Sequence, residues 1–316
     1  MEILPPADWK ELLDYMSKGG QTVLLLGAVD SGKSYLARYL LEGLLNMGLR
    51  VCLVDADVGQ SSLGLPSTVS MKVFGKPGDI ANFLFEEFFF VGSIDAARAA
   101  PLIVEGAKKF VDACRGRSDA ILVDTTGLVS GSVGRDLKLR KIMAVEADTI
   151  VALQACGEAE HIVACMRGQR VFRLPISPAV KRRSREERAR YRKEKVRRYF
   201  DATDVGQYIL QRNSAGFLYM GRRVDIADRL IRESHAAKDG LMALCRDGRH
   251  GDSGHTYPGL SDSGRTNTDH ADSGHAALAM VAPAMIVECD ADSIEFLSPV
   301  KSLRGIATVL LGDVTV

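Results

Sequence analysis

The chain has 316 residues, of which 46% are hydrophobic and 26% charged, and its net charge is +1. These values are ordinary for a soluble globular protein with one large and one small domain, or two medium ones. Its longest wholly apolar run, residues 276–287, is twelve residues long and includes Pro283, whereas a membrane span needs about 20. The N-terminus has no basic region followed by an apolar run. We therefore expect a cytoplasmic protein that does not enter a membrane.

The cysteines are scattered, and none belongs to a C-x-x-C pair. There are six of them, at positions 52, 114, 156, 165, 245 and 289. This spacing excludes a zinc site and a disulfide framework. It favours reduced thiols that serve as small core residues.

Apolar runs and helical patterns alternate over the first two hundred residues. Helices are predicted at 9–16 and 34–47, and strands at 21–26, 50–55, 120–124 and 148–153. This alternation is typical of βαβ units, so we predict an α/β fold with a mostly parallel sheet covered by helices on both faces. Ligands bind at the carboxyl ends of the strands in such sheets.

After about residue 204 the pattern changes to short strands without long helices between them. Strands are predicted at 216–220, 279–287, 293–297 and 306–311. We therefore predict a P-loop domain over 1–204 and a small β-rich domain over 205–316. Residues 248–276 are rich in Gly, Ser, Asp and His, a composition that favours a flexible insertion. A metal-binding tract is the alternative interpretation of its histidines.

The strongest motif is GAVDSGKS, Gly27–Ser34, which matches G-x-x-x-x-G-K-[ST] between a predicted strand and a predicted helix. The glycines let backbone N–H groups point at phosphate oxygens, and the helix N-terminus favours negative charge. Lys33 is expected to reach the terminal phosphates of a nucleotide, and Ser34 to bind Mg²⁺.

Acidic residues follow two further strands. Asp55 and Asp57 in VDADVGQ are two residues apart, so they face the same way in an extended chain. Such a pair can hold Mg²⁺ through water and accept a proton from an attacking hydroxyl, or one of them can simply cap the turn. Asp124 in ILVDTTG ends an apolar strand in the Walker-B pattern, with the hydroxyls of Thr125 and Thr126 beside it.

Residues 177–200 form a concentrated basic segment, with eleven Lys or Arg and three Glu between Lys181 and Arg198. Ser184 and Glu187 form a capping box that predicts a helix start. Arg185, Arg188 and Arg192 would then share one face of the helix. A solvated basic face is the ordinary interpretation, but so many positive charges favour an anionic partner.

The motifs GAVDSGKS, DADVGQSSLGLPSTV, FFVGSI, VDTTGLV and RRSREERARYR occur in this order. Together they resemble the polynucleotide 5′-hydroxyl kinases, which include RNA kinases of pre-mRNA cleavage and pre-rRNA processing and shorter archaeal and bacterial relatives. The resemblance runs from about residue 21 to 204. It implies ATP and Mg²⁺ as cofactors and the 5′-hydroxyl end of RNA or DNA as the acceptor, and it names no protein partner.

The resemblance also implies roles for individual residues. Nucleotide-binding positions are Gly27, Asp30, Ser31, Gly32, Lys33, Ser34, Tyr35 and Thr125. Metal-binding positions are Ser34, Asp55 and Asp124. Catalytic positions are Lys33, Asp55, Asp57 and the lid arginines Arg183, Arg188 and Arg192, with Asp57 favoured as the base because it lies further past the strand end.

The family often has a Trp where this chain has Leu128, and the eukaryotic members carry a β-rich N-terminal domain before the P-loop. Two other functions remain open at this level. A GTPase or ATPase switch would fit Asp124-Thr-Thr-Gly127, although no N-K-x-D or T-K-x-D motif follows. A nucleic-acid scaffold that binds ATP without catalysis would fit the basic segment, although Lys33, Asp55 and Asp57 argue for an enzyme.

Overall fold

The computed structural model describes residues 7–178, 180–220, 222–229, 231, 233, 236, 238–247, 255–256 and 277–315. These residues divide into two compact units, the first comprising residues up to 91 and 95–192, the second 92–94 and the residues from 193 onward. The chain passes from one unit to the other between Arg192 and Lys193, whereas the sequence prediction placed the boundary after residue 204. The predicted insertion at 248–276 lies outside the described residues, apart from 255–256.

Six α-helices, a 3-10 helix (Pro77–Ala81) and seven strands lie among the described residues from 7 to 202. The helices are α1 (Ala7–Met16), α2 (Lys33–Asn46), α3 (Ala100–Cys114), α4 (Gly131–Ala144), α5 (Glu160–Val163) and α6 (Arg185–Ala202). The strands are β1 (Thr22–Gly27), β2 (Val51–Ala56), β3 (Thr68–Phe74), β4 (Glu87–Phe90), β5 (Ala120–Thr125), β6 (Thr149–Gln154) and β7 (Arg170–Pro175).

The seven strands form one sheet in the order β4-β3-β2-β5-β1-β6-β7. Strands β1, β2, β5, β6 and β7 are parallel, and β3 and β4 add an antiparallel edge beside β2. The predicted mostly parallel sheet is thus confirmed. Strands β3, β4 and β7 were not predicted. Polar residues interrupt the sequences of β3 and β7, and β4 has only four residues.

Helices cover both faces of this sheet, as predicted. All six residues of β1 are buried. Val23 and Leu25 pack with residues of α1 and α2, such as Leu12 and Leu40. Since side chains alternate along a strand, Leu24 faces the opposite side, where α3 packs against β2 and β3. The sheet is therefore buried on both faces, which explains its continuous apolar runs.

The described β-strands of the second unit are β8 (Gly206–Gln211), β9 (Gly216–Tyr219), β10 (Arg222–Val224), β11 (Gly240–Asp247), β12 (His255–Thr256), β13 (Ala277–Cys289), β14 (Ser293–Ser298) and β15 (Ile306–Thr315). They form one sheet in the order β10-β9-β15-β11-β13-β14-β8, with β12 paired to β13. Apolar residues such as Phe217, Ile286 and Phe296 form its core. The predicted C-terminal β-rich region is confirmed.

The expectation that all cysteines are reduced is wrong for one pair. Cys52 on β2 and Cys114 at the end of α3 form a disulfide, with their Cα atoms 6.1 Å apart. Helix α3 packs on β2, and this packing brings together two residues that are 62 positions apart in sequence. Cys156, Cys165, Cys245 and Cys289 do not take part in a disulfide.

No helix in the described part of the chain is long and apolar enough to cross a membrane.

Candidate active site

The P-loop connects β1 to α2 through a tight turn. Asp30 and Gly32 both have positive φ, +56° and +89°, and α2 begins directly after Gly32. A Cβ on Gly27 would lie 2.5 Å from Ser31 Oγ and 2.6 Å from the carbonyl oxygen of Leu153. The glycines are therefore needed for both the turn and its close packing.

Lys33 lies inside this turn and is almost completely buried. Its ammonium donates to the carbonyl oxygens of Gly27 and Ala28 at 3.0 and 2.8 Å, and to Ser31 Oγ at 3.3 Å. Burial lowers the pKa of Lys33, and the charge of Asp124 partly opposes this effect. The predicted phosphate-binding lysine is thus held at the centre of the loop.

Ser34 and Asp124 meet at the edge of the sheet. The Ser34 hydroxyl donates to Asp124 Oδ2 at 2.5 Å. Asp124 is buried, and both burial and the nearby charge of Asp55 raise the pKa of its carboxyl group above the ordinary value. The register of β2 against β5 causes this proximity, because it pairs Asp55 directly with Asp124.

These oxygen ligands suit Mg²⁺. A buried carboxylate whose charged form is disfavoured gains from a nearby cation, and Mg²⁺ commonly uses one or two carboxylates together with substrate phosphates. In the described residues, no group of three or more His, Cys, Asp or Glu side chains could hold a metal by itself. In this arrangement Ser34 and Asp124 would hold the ion, and metal binding by the third predicted ligand, Asp55, stays a prediction.

Asp55 organises the loop that follows β2. Its side chain is fully buried. Its Oδ2 accepts hydrogen bonds from Ser61 Oγ, from the backbone and side chain of Ser62, and from Leu63 N, at 2.7 to 3.1 Å. Its Oδ1 accepts from Asp57 N at 3.0 Å. Asp55 therefore holds residues 57 and 61–63 in place, which is the turn-capping role that the sequence left open for one of the two aspartates.

Asp57 is less engaged than Asp55. Its Oδ1 accepts from the backbone N–H groups of Gly59 and Gln60 at 3.1 and 3.0 Å. Its Oδ2 has no hydrogen-bond partner within the described part of the chain. Asp57 is only partly buried. The geometry therefore leaves one carboxylate oxygen of Asp57 available to an incoming group, and the role of Asp57 as base stays a prediction.

The basic helix begins where the capping box predicts. Ser184 N donates to Glu187 Oε2 at 2.6 Å, and Glu187 N donates to Ser184 Oγ at 3.2 Å. Helix α6 then starts at Arg185.

The first turns of α6 lie against the P-loop and the D-x-D-x-G-Q loop. The Arg188 guanidinium donates to Asp30 Oδ2 at 2.6 Å. The Arg188 carbonyl accepts from Gln60 Nε2 at 3.4 Å, and Tyr191 OH donates to the carbonyl of Ser61 at 3.0 Å. Arg188 is thus brought to the edge of the nucleotide loop.

The other two predicted lid arginines are placed differently. The pKa of Arg192 is lowered by partial burial and by the neighbouring Arg188, so these two cations form one positive patch. Arg183 contacts Asp30 through its backbone N–H at 3.0 Å, and its guanidinium lies 5.1 Å from the ring centre of Tyr191. Arg183 therefore reaches the loop through its main chain in this structure.

Two further predicted nucleotide contacts differ in their exposure. Tyr35 is 52% exposed, and its ring lies 5.6 Å from that of Trp9. The buried Thr125 hydroxyl donates to the carbonyl of Leu25 at 2.7 Å and accepts from Lys138 Nζ at 2.7 Å. The Thr125 side chain is thus engaged by the protein itself, and its predicted nucleotide contact stays a prediction.

Sequence reasoning missed two residues beside this site, Lys138 and Lys141 on α4. Both are completely buried. The helix sequence GSVGRDLKLRKIMA is polar and has no clear apolar stripe, so it gave no sign that these lysines point inward.

The site can be compared with known proteins. The family described as "mRNA cleavage and polyadenylation factor CLP1 P-loop" matches residues 27–202, which is more than half of the chain. The chain belongs to this family. The family's range covers the P-loop, the Asp55 and Asp57 loop, the Walker-B strand and the whole of α6.

Curated relatives resemble the same region. The chain is 41% identical over 188 residues to a polyribonucleotide 5′-hydroxyl-kinase of Methanocaldococcus jannaschii. The aligned region covers 58% of this chain and 51% of the relative. The chain is 36% identical over 188 residues to the corresponding protein of Pyrococcus horikoshii, with the same coverage. The chain thus spans about half the length of these relatives.

A solved structure of a Clp1p–Pcf11p complex is similar in fold, with a TM-score of 0.70 and 12% identity. The match covers 96% of this chain and 77% of the solved one. It supports the P-loop fold and the presence of the additional C-terminal sheet.

Proposed function

We propose that the protein is a polynucleotide 5′-hydroxyl kinase that transfers the γ-phosphoryl group of ATP, with Mg²⁺, to the 5′-hydroxyl end of RNA or DNA. One observation carries this proposal. The P-loop, the free carboxylate oxygen of Asp57 and the guanidinium of Arg188 belong to segments that contact one another through Asp30 and Gln60. The names of the relatives support the same activity.

Each of these groups has a distinct part in the reaction. Asp57 Oδ2 takes the proton of the attacking 5′-hydroxyl as its oxygen forms the new bond to the γ-phosphorus. The bond between the γ-phosphorus and the β,γ-bridging oxygen breaks, and ADP leaves. Lys33 and Arg188 balance the charge on the phosphoryl group during transfer, where positioning and charge neutralisation supply most of the catalysis.

Ser34 and Asp124 would hold Mg²⁺, which neutralises phosphate charge when it is bound. Asp55 keeps the loop that carries Asp57 in shape. Asp30 binds Arg188 through its carboxylate, so the phosphates of ATP would compete with Asp30 for this guanidinium.

The test is transfer of label from γ-labelled ATP to oligonucleotides with either a 5′-hydroxyl or a 5′-phosphate end. Label should appear only on the 5′-hydroxyl ends. Lys33→Ala should abolish transfer, whereas Lys108→Ala should not, because Lys108 is an exposed residue of α3 paired with Asp112. Release of inorganic phosphate without any labelled oligonucleotide would contradict the proposal and indicate a nucleotide hydrolase.

A further inference from the structure

Helix α4 presents two lysines to the interior of the first unit. Lys138 and Lys141 are both 0% exposed. Burial lowers the pKa of each, for Lys141 to about 8. An ammonium group that is taken out of water costs several kcal/mol unless hydrogen bonds or opposite charges compensate. Two such residues on one helix therefore require an explanation.

The two lysines differ in their contacts. Lys138 Nζ donates to Thr125 Oγ1 at 2.7 Å, to Thr126 Oγ1 at 3.4 Å and to the Thr126 carbonyl oxygen. Lys141 Nζ has no hydrogen-bond partner among the described residues. Lys138 thus uses its donors on two consecutive residues, both of which follow the Walker-B aspartate.

The turn that Lys138 holds links the metal-binding edge to the P-loop. Thr125 directly follows Asp124, whose carboxylate accepts from Ser34. After Thr126 comes Gly127, where a Cβ would lie 2.5 Å from the backbone nitrogen of Val29 in the P-loop. Residues 125–127 therefore lie between the ammonium of Lys138 on one side and the nucleotide loop on the other.

We propose that Lys138 is a positioning residue of the phosphoryl-transfer site, whose ammonium fixes the Thr125-Thr126-Gly127 turn against the P-loop. The inference rests on the proposed kinase function. The hydrogen bonds of Lys138 go to Thr125 and Thr126 and to neither the P-loop nor the acidic pair among the described residues, so we assign its effect to the turn. Loss of its hydrogen bonds would let the turn move, and small displacements at a phosphoryl-transfer site lower the rate of the chemical step.

Steady-state kinetics of Lys138→Met test this role, because the methionine side chain matches that of lysine as far as Cε and lacks the donating ammonium group. We expect kcat to fall by about 10-fold to 100-fold, while the KM values for ATP and oligonucleotide change by less than about threefold. Arg140→Met is the matched control, since Arg140 lies on the exposed side of α4 and pairs with Asp136. It should retain wild-type kinetics.

Two other variants separate positioning from burial. Thr125→Val keeps Lys138 but removes its 2.7 Å hydrogen bond, so it should lower kcat in the same way, although less. If Lys138→Met fails to fold, Thr125→Val still tests the role of this hydrogen bond. Lys141→Met removes a buried ammonium without removing a hydrogen bond. Equal losses of kcat in Lys141→Met and Lys138→Met would show that buried charge alone matters, and would overturn the proposal.

Amide hydrogen exchange of the peptide that contains residues 125–127 gives a readout that does not depend on activity. Lys138→Met should speed exchange there by at least about tenfold, because about 1.4 kcal/mol of lost local stability corresponds to that factor. Unchanged exchange in a folded variant would refute the positioning role. Wild-type protein that fails to label 5′-hydroxyl ends would instead refute the kinase assignment, while the exchange result would still decide the role of Lys138.

Discussion

Asp55 and Asp57 are two positions apart in the sequence, yet the structure predicts opposite consequences for their substitution by Asn. Asp55 accepts from three backbone N–H groups and two hydroxyls and is completely buried. Asp57 accepts from two backbone N–H groups, both on Oδ1. Asn keeps one acceptor oxygen and replaces the other with an NH₂ group that only donates.

Asp55→Asn should therefore be destabilising. Its amide nitrogen would face either the single donor to Oδ1 or the four donors to Oδ2. Even the less costly orientation loses the hydrogen bond from Asp57 N, and a hydrogen bond to a charged group contributes about 1.5–3 kcal/mol. We therefore expect the free energy of unfolding to decrease by at least about 1.5–3 kcal/mol, which for a unit of this size corresponds to a decrease in Tm of about 3–12 °C.

Asp57→Asn should leave stability nearly unchanged, because its single oxygen can keep both backbone hydrogen bonds. It removes the proton acceptor, and general-base catalysis contributes about 10²-fold to 10⁴-fold to a rate. Turnover should fall by about that factor, while ATP affinity stays within a few-fold of wild type. Thermal unfolding, equilibrium binding of a fluorescent ATP analogue and the label-transfer assay together measure these quantities.

Two results would contradict these roles of Asp55 and Asp57. A variant Asp57→Asn with wild-type turnover would show that its free oxygen does not accept the proton. An Asp55→Asn variant as stable as wild type, but inactive, would show that Asp55 acts at the reacting groups and not as the support of the loop.

Three further predictions concern the lid, the turn and the pH dependence of stability. Arg188→Ala should lower kcat at saturating substrates by about 10³-fold. Arg190→Ala should mainly raise the KM for the oligonucleotide, and the log–log slope of oligonucleotide affinity against salt concentration should become flatter by roughly 0.7. If both variants change only KM, and to the same extent, α6 is only a binding arm. Gly127→Ala would place a Cβ 2.5 Å from the backbone nitrogen of Val29, so we expect ATP to bind more weakly and the Tm to fall, with a cost of about 1–3 kcal/mol; calorimetry that finds neither change would contradict the packing. Burial raises the pKa of Glu105 from 4.5 to about 7 in the folded protein. The folded state therefore binds this proton more tightly than the unfolded state does. As the pH rises between these two values, the free energy of unfolding decreases, because the ionised carboxylate destabilises the fold. Glu105→Gln should therefore raise the free energy of unfolding at pH 8 by about 1 kcal/mol, after allowance for solvent screening at this half-buried side chain, and should have no effect at pH 4; denaturant titrations at both pH values test this.

Much of the site can be predicted from local sequence, because the motifs that form it are only a few residues long. The P-loop needs Gly27 and Gly32 for its turn, and an apolar strand before it, so eight residues predict the loop and the role of Lys33. The capping box of Ser184 and Glu187 predicts the start of α6 within one residue, since both partners lie in the same turn. Alternating apolar runs and helical patterns were likewise enough to predict the parallel sheet.

Other features depend on contacts between distant segments, and the sequence does not encode these as a local pattern. In VDADVGQ only their positions relative to the strand end distinguish Asp57 from Asp55. The path of residues 57–63 around the buried carboxylate of Asp55 makes that residue the support of the loop, and it leaves one oxygen of Asp57 without a hydrogen-bond partner among the described residues. Packing of α3 on β2 joins Cys52 to Cys114.

The buried lysines of α4 are the clearest example of a feature that local sequence does not predict. In sequence they look like part of a solvated helix, since neither charge nor spacing distinguishes Lys138 from Arg140. Only the tertiary structure turns Lys138 towards Thr125 and Thr126, where a buried ammonium is tolerated because it finds three acceptors. A short motif is determined by the conformations of its own residues, whereas the environment of a side chain is decided by whatever the fold places against it.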